Sequence, residues 1–143
     1  MGTIEKSATF PVSAEKLWAV TGDPNRFGDW LSMHQKWKGD VPAEIKQGDT
    51  IVEVVSVMGM PNTITWTVEE YSPGESVTLA GTGMAGVKIA MTAAVTDHGD
   101  SSTLDLKTSF EGQMLVGAIG AAVEKAGLAD LETSLATLAE LLG

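Results

Sequence analysis

The chain has 143 residues, 43% of them hydrophobic and 20% charged, a composition typical of one folded globular domain spanning residues 1–143. Its 19 acidic and 9 basic side chains give a formal net charge of −10 at pH 7, which disfavours binding to nucleic acids and to anionic membranes. The absence of cysteine excludes disulfides and thiolate chemistry, and the absence of an apolar run of about 18 residues argues against membrane insertion. No secretory signal pattern is present, so we expect a cytoplasmic protein.

The first thirty-odd residues predict one strand followed by two short helices. Residues 3–10 alternate between apolar and polar side chains, which is typical of a half-buried strand. Ser13 is predicted to cap the first helix, which ends at Gly22. Asp23 and Pro24 have the character of the N-cap and first residue of a second helix. The inward face of this second helix is predicted to carry Phe27, Trp30, Leu31 and His34.

From residue 50 onward the pattern predicts consecutive strands joined by short turns, as in an antiparallel meander. Turn-forming residues separate the strands at Gly59–Asn62, at Ser72–Gly74 and at Asp97–Ser101. The strands are predicted at residues 50–58 and 63–71, around Val77 and Leu79, and at residues 87–95 and 104–110.

The last thirty residues change to a helical period and predict one long helix. Leucines recur in its second half from Leu128 to Leu142, at nearly heptad spacing, and we expect this stripe to pack on the sheet. Gly127 costs about 1 kcal/mol of helix propensity and predicts a kink or break. The first half, Gly117–Ala122, is built from small residues, so we expect a cavity beside it.

Together these elements predict an α+β domain with a helix-grip fold. A curved antiparallel sheet of about seven strands is expected to wrap around the long C-terminal helix, with two short helices after the first strand. Where a helix spans a curved sheet without filling it, an apolar cavity remains between them. Such cavities are common sites for small ligands.

Several motifs distributed over nearly the whole chain carry a family resemblance. They are Pro11–Trp18 after the first strand, Asp29–Leu31, Trp66–Pro73 and the helical tail, together with Trp30–His34, Gly59–Asn62 and Gly81–Lys88. The motifs from Pro11–Trp18 to the helical tail resemble the Bet v 1/START-type superfamily, also called SRPBCC. The remaining three, Trp30–His34, Gly59–Asn62 and Gly81–Lys88, are similar to an actinobacterial branch of that superfamily, whose members are described as polyketide cyclase/dehydrase-like.

This resemblance implies the helix-grip fold and a cavity for hydrophobic molecules, but it does not fix the activity. The superfamily includes lipid carriers, hormone receptors and cyclases, and one relative in the similar branch is described as the toxin of a toxin–antitoxin pair. A fold shared by so many functions leaves the function to be argued from the site.

His34 is the candidate for acid–base chemistry, because imidazole titrates near neutral pH. The alternative is a histidine that caps the second helix, with its ring against Trp30 or Trp37, and the sequence assigns no acid partner to it. Glu53 shares a strand face with apolar residues and is predicted to point into the cavity. Lys6 has the inward parity of the first strand, which suggests a Glu53/Lys6 polar patch as a hypothesis.

The predicted ligand-binding set combines large aromatics with adaptable methionines. It comprises Trp30, His34, Trp37, Glu53, Met58, Met60, Trp66, Met84, Met91, Phe110, Met114 and Ala118. We expect no cofactor and no metal, since the two histidines lie far apart without an organised carboxylate set.

The segment Gly81–Gly86 matches the letters of a dinucleotide-binding motif, but a strand rather than a helix is predicted to follow it. We therefore interpret it as a flexible glycine-rich hairpin, and the alternative is a loop at the cavity mouth that gates ligand entry. We expect the entrance at the end that carries Met60, this loop and the helix of His34.

Three functions remain open from the sequence. The first is binding or transport of a small hydrophobic or amphipathic molecule, such as a lipid or a polyketide-like ring, without catalysis. The second is a cyclase/dehydrase-type enzyme that uses His34 as its acid or base. The third is a protein–protein regulator, such as the toxin partner of a toxin–antitoxin pair, and a protein partner or a homodimer is compatible with all three.

Overall fold

The computed structural model describes residues 2–83, 86–113, 115 and 117–143. Seven strands and three α-helices follow one another along this part of the chain, with a short 3-10 turn at Pro24–Arg26 before the second helix. They are β1 (Gly2–Phe10), α1 (Ala14–Thr21), α2 (Phe27–Trp30), β2 (His34–Lys38), β3 (Thr50–Val57), β4 (Met60–Ser72), β5 (Ser76–Thr82), β6 (Lys88–Asp97), β7 (Ser102–Glu111) and α3 (Gly117–Leu142).

The strands form one antiparallel sheet in the order β1-β7-β6-β5-β4-β3-β2. Consecutive strands are neighbours from β2 to β7, and β1 closes the order by pairing with β7 from Gly2↔Phe110 to Phe10↔Ser102. Helix α3 packs on the edge strand β1 and also contacts β3, near the other edge. One helix can reach both regions because the sheet curls around it, so the predicted helix-grip architecture is confirmed.

The strand alternation places the core on the concave face of the sheet. In β4, Ile64, Trp66 and Val68 are buried, whereas Thr65 and Thr67 between them are exposed. Because side chains on successive strand residues point to opposite faces, the period of two in the sequence is the direct cause of this division.

The predicted helix signals near the N-terminus are also present. The side chain of Ser13 accepts a hydrogen bond from the backbone N–H of Lys16 and caps α1. The side chain of Asp23 accepts one from the backbone N–H of Asn25. Each bond satisfies a backbone donor that a helical turn leaves without an internal partner.

The placement of His34 on a helix was wrong. Helix α2 ends at Trp30, because Leu31 turns to extended backbone with ψ of 106°, and His34 begins the edge strand β2. This strand was not predicted, because its outer position leaves its side chains exposed or only partly buried. It therefore lacks the alternation that reveals an inner strand.

Helix α3 runs without a break through Gly127. An added Cβ at this glycine would lie 2.5 Å from Cδ1 of Ile4, so the missing side chain allows α3 to approach β1 closely. The leucine half of the helix is packed on the core through Leu131, Leu135 and Leu138.

The β3–β4 hairpin turns through Met58 and Gly59, with φ angles of 53° and 81°, and Val57 pairs with Met60 on either side. The turn thus begins one residue before the predicted segment Gly59–Asn62 and shares Gly59 with it, and the last three residues of that segment belong to β4. Two-residue turns with positive φ at both positions favour Asn-Gly. Methionine is an unusual occupant of the first position, since a side chain there is strained.

We therefore expect Met58→Asn to raise the free energy of unfolding by about 0.5–1 kcal/mol, because asparagine tolerates positive φ better than methionine. Urea denaturation of the two proteins measures this difference. Met60→Asn is the matched control, since Met60 is equally exposed but lies in a strand, and it should give no gain. A Met58→Asn variant no more stable than wild type would contradict the turn assignment.

Candidate functional site

A cavity of about 190 Å³ lies between α3 and the concave face of the sheet. Its walls are mostly aliphatic. The sheet contributes Ile4, Val55, Ile64, Ile89 and Phe110, and the helix contributes Val123, Ala126, Gly127 and Leu131. A cavity of about 150 Å³ with similar walls is large enough to bind benzene. The space therefore suits one small ring or a short acyl chain.

Two features of the chain leave this space open. Ala126 and Gly127 put almost no side-chain volume on the helix wall, and Gly127 holds the helix close to β1 at Ile4. Farther across the sheet, the wall lies on strands that curl away from the helix. The expected cavity beside Gly117–Ala122 is therefore displaced along α3 to residues 123–134.

The half-buried residues of the wall mark its outer rim. Met33, Val57, Asn62, Gly83 and Val87 belong to this group. They come from the start of β2, the β3–β4 hairpin and the β5–β6 connection, which meet at one end of the sheet. The Gly81–Gly86 loop is described only in part, since Met84 and Ala85 lie outside the described residues.

A small polar group interrupts the apolar wall on the helix side. Asp130 Oδ1 accepts a hydrogen bond from Ser32 Oγ at 2.9 Å, and Ser134 Oγ accepts the backbone N–H of Ser32 at 2.9 Å. Both α3 residues line the cavity, and Ser134 is 1% exposed. Thr108 lines it from β7, on the same strand face as the buried Leu106 and Phe110.

A second polar group lies outside the cavity and is centred on Glu53, which is fully buried. Its Oε1 accepts the indole N–H of Trp66 at 2.8 Å, and its Oε2 pairs with Nδ1 of His34. The His34 side chain is only 7% exposed. A buried carboxylate is tolerated when it is paired and hydrogen-bonded, and these two contacts supply that compensation.

Aromatic rings surround this pair. The His34 ring lies against Phe27 and Trp37, at centroid distances of 6.4 Å and 5.1 Å. Trp37 Nε1 donates to the carbonyl of Pro24 at 3.0 Å, which fixes its ring. Trp30 meets Phe27 edge to face, and its indole N–H is buried with no hydrogen-bond partner among the described residues. The histidine is thus held in place rather than presented to the cavity.

The predicted ligand-binding residues therefore divide into separate groups. Phe110 lines the cavity. The cluster around Glu53 holds Trp30, His34, Trp37, Glu53 and Trp66, none of which is on the described cavity wall. Met58 and Met60 are 58% and 65% exposed, and Ala118 is exposed on the first turn of α3. Met91 is buried in the core beside Thr108 but is not on the described cavity wall. Met84 and Met114 lie outside the described residues.

The hypothesis of a Glu53/Lys6 polar patch was wrong. Lys6 Nζ pairs with Glu132 Oε1 at 3.2 Å on the surface, and the partner of Glu53 is His34. The polar residues of the cavity wall were missed, although a signal existed. Asp130 and Ser134 are one helical turn apart and interrupt the apolar stripe on the inward face of α3.

One titratable group far from the cavity is perturbed. Burial raises the pKa of the Tyr71 hydroxyl, and the negative charges of Glu44 and Asp23 raise it further. Tyr71 packs against Trp18, near the end of β4 that is remote from the cavity rim. This perturbation reflects the acidic surroundings of a half-buried tyrosine and does not bear on the cavity.

No group of three or more His, Asp or Glu side chains within the described ranges is placed to hold a metal ion. In the same part of the chain, no helix is both long and apolar enough to cross a membrane.

A family model described as "Polyketide cyclase / dehydrase and lipid transport" matches residues 1–143. The chain is also similar to two proteins of Mycobacterium tuberculosis. One, named Uncharacterized protein Rv1546, is 34% identical over 143 residues, covering all of both chains. The other, named Toxin Rv0910, is 34% identical over 135 residues, covering 94% of each chain.

Solved structures with the same fold are more distant in sequence. A START superfamily protein from Mycobacterium smegmatis has a TM-score of 0.77 at 16% identity, covering 99% of both chains. The Zhui aromatase/cyclase from Streptomyces sp. R1128 has a TM-score of 0.77 at 17% identity, covering 97% of this chain and 92% of that one. At these identities the likeness concerns the fold alone.

The pairing of His34 with Glu53 predicts strong coupling between their substitutions. His34→Leu leaves the buried carboxylate with only the Trp66 N–H and should cost about 3–5 kcal/mol of unfolding free energy. The double variant His34→Leu/Glu53→Leu should be more stable than that single variant, because no uncompensated charge remains. Urea denaturation at pH 7 measures both.

His98→Leu is the control for these variants, since His98 is exposed and should change stability by no more than about 0.5 kcal/mol. The single variant Glu53→Leu completes the comparison. If the losses of unfolding free energy in His34→Leu and Glu53→Leu sum to the loss in the double variant, the two side chains are not coupled and the pair does not stabilise the fold as described.

Proposed function

The chain belongs to the polyketide cyclase / dehydrase and lipid transport family, and we propose that it binds a small hydrophobic or amphipathic molecule in the cavity beneath α3. The observation that carries the proposal is the cavity itself, about 190 Å³ of mostly apolar space inside the core. A mostly apolar cleft or cavity with a few polar groups is the usual form of a small-molecule site.

The chemistry of the wall supports the same conclusion. Aliphatic and aromatic side chains such as Val55, Ile64 and Phe110 face this space. Apolar surface that a bound molecule removes from water contributes about 25 cal/mol per Å². A hydrophobic molecule of suitable size would therefore be stabilised by contact with the wall.

Binding or transport is better supported than catalysis by His34. The imidazole is engaged by Glu53 through Nδ1, and the opposite edge of the ring faces Gly28, not the cavity. Among the described residues of the wall, Asp130 is the one ionisable side chain. A general acid or base has to reach the reacting atoms, and His34 does not reach a molecule held in this cavity.

Filling the cavity from the helix side tests the proposal. Ala126→Leu places three additional carbons in the cavity and should weaken binding of a neutral ring, propylbenzene, by about tenfold or more, which corresponds to about 1.4 kcal/mol. Isothermal titration calorimetry on each protein gives the dissociation constants.

Ala129→Leu makes the same substitution at an exposed position of α3 and should leave the affinity unchanged. Equal affinities for wild type and Ala126→Leu would refute binding in this cavity. A second indication would come from organic extraction of the purified protein followed by mass spectrometry, which should recover a small apolar compound.

A second candidate function is a protein–protein regulator of the toxin–antitoxin kind. It is favoured by the relative named a toxin, which matches over 94% of each chain. The net charge of −10 disfavours a toxin that acts by binding RNA directly, so the target would be a protein or a small molecule.

Induced expression of this chain alone in an actinobacterial host tests this second candidate. Growth arrest is the expected result. The same gene with a premature stop codon is the control. Growth equal to that control, at a protein level verified by immunoblot, would eliminate the toxin function.

A further inference from the structure

The charge on the described cavity wall is negative and comes from one carboxylate. Asp130 is its one ionisable side chain among the described residues, and no lysine, arginine or histidine belongs to that wall. Lys88 and Lys125 adjoin lining residues in the sequence, but both are exposed. The five residues that the structure does not describe also have no ionisable side chain: they are Met1, Met84, Ala85, Met114 and Val116.

The Asp130 carboxylate is held at the wall by the segment between α2 and β2. Its Oδ1 accepts the hydroxyl proton of Ser32 at 2.9 Å, while the backbone N–H of Ser32 is bound by Ser134. These two bonds fix the carboxylate against the cavity and leave its other oxygen available. The described ion pairs give Asp130 no cationic partner, so its charge is not neutralised by the protein.

The other polar residues on the described wall are Ser56, Asn62, Thr108 and Ser134. Ser134 is buried and keeps its own proton to donate, since no acceptor for that proton is found within the described residues. Thr108 offers a second hydroxyl from the sheet side. Hydroxyl and amide groups both donate and accept hydrogen bonds, so they suit a neutral polar group, and none of them carries a positive charge that would neutralise an anion.

From this arrangement we propose that the cavity selects molecules whose polar end is a hydrogen-bond donor, either a hydroxyl or an ammonium group, and rejects those that end in a carboxylate, sulfate or phosphate. The inference rests on the proposed function, since it describes what the same cavity holds. A donor is met by the second carboxylate oxygen of Asp130, whereas an anion is placed beside a like charge that the protein does not neutralise. Asp130 is half-buried, so the repulsion is moderate and is expected as a preference between ligands.

A matched series of four probes tests the proposal at pH 7. Propylbenzene, 3-phenylpropanol, 3-phenylpropylammonium and 3-phenylpropanoate share the ring and the three-carbon chain and differ at the polar end. For wild type, the alcohol and the ammonium should bind at least as tightly as propylbenzene. The carboxylate should bind about tenfold more weakly or worse, because it meets Asp130. Isothermal titration calorimetry gives the four dissociation constants.

Asp130→Asn keeps an oxygen that accepts from Ser32 and removes the charge. In this variant the carboxylate should gain about tenfold in affinity and the ammonium should lose about as much, while propylbenzene is unaffected. Glu132→Gln removes the same charge from the outside of α3, where Glu132 pairs with Lys6, and should leave the order of the four probes as in wild type.

The outcomes separate the two proposals. If wild type binds propylbenzene, and binds 3-phenylpropanoate as tightly as 3-phenylpropanol, the charge selection is overturned and the proposed function is not. Failure of all four probes to bind would overturn the proposed function and, with it, the selection. If Asp130→Asn does not fold, the wild-type series decides the question by itself.

Discussion

The structure depends on one packing constraint, which is that a single helix covers the concave face of a seven-stranded sheet. Helix α3 meets this constraint by packing closely at one edge, where Gly127 lets it approach Ile4 on β1. Its leucine half fills the core, and the space that the curling sheet leaves beside its middle remains as the cavity. Close contact at one edge and open space farther across are thus two consequences of the same arrangement.

The buried Glu53 has a different part in this arrangement. It links three strands, because its carboxylate on β3 binds Trp66 on β4 and His34 on β2. The edge strand β2 has few buried apolar side chains of its own, and the pair supplies a directional contact that fixes its position. The loop just before β2 in turn carries Ser32, which binds Asp130 and Ser134 on α3. The cluster around Glu53 therefore supports one wall of the cavity without being part of that wall.

This separation of roles bears on the function. A histidine next to a buried carboxylate resembles an acid–base pair, yet His34 and Glu53 are not on the described cavity wall. The polar residues on that wall include Asp130, Ser134 and Thr108. The wall that they form is acidic, as is the whole chain. The proposed preference for a small uncharged or cationic molecule rests on this charge and on the size of the cavity.

Much of the fold could be predicted from the sequence, because its signals are local. Alternation along β4 specifies which face is buried, Ser13 and Asp23 mark where helical turns begin, and the motifs along the chain indicate the family. Signals of this kind depend only on residues a few positions apart, so they are visible before any tertiary contact is known.

The candidate site could be predicted only in small part, because it is assembled from distant residues. His34 and Glu53 are 19 positions apart, and Ser32 and Asp130 are 98 apart. Which of these groups meet is decided by the register of the sheet and by where α3 crosses it. The sequence by itself determined the strands other than β2, the helix caps and the long C-terminal helix. Only the tertiary structure decided that Glu53 pairs with His34 outside the cavity and that Asp130 lies on its wall, since a local period specifies a face but not its partner.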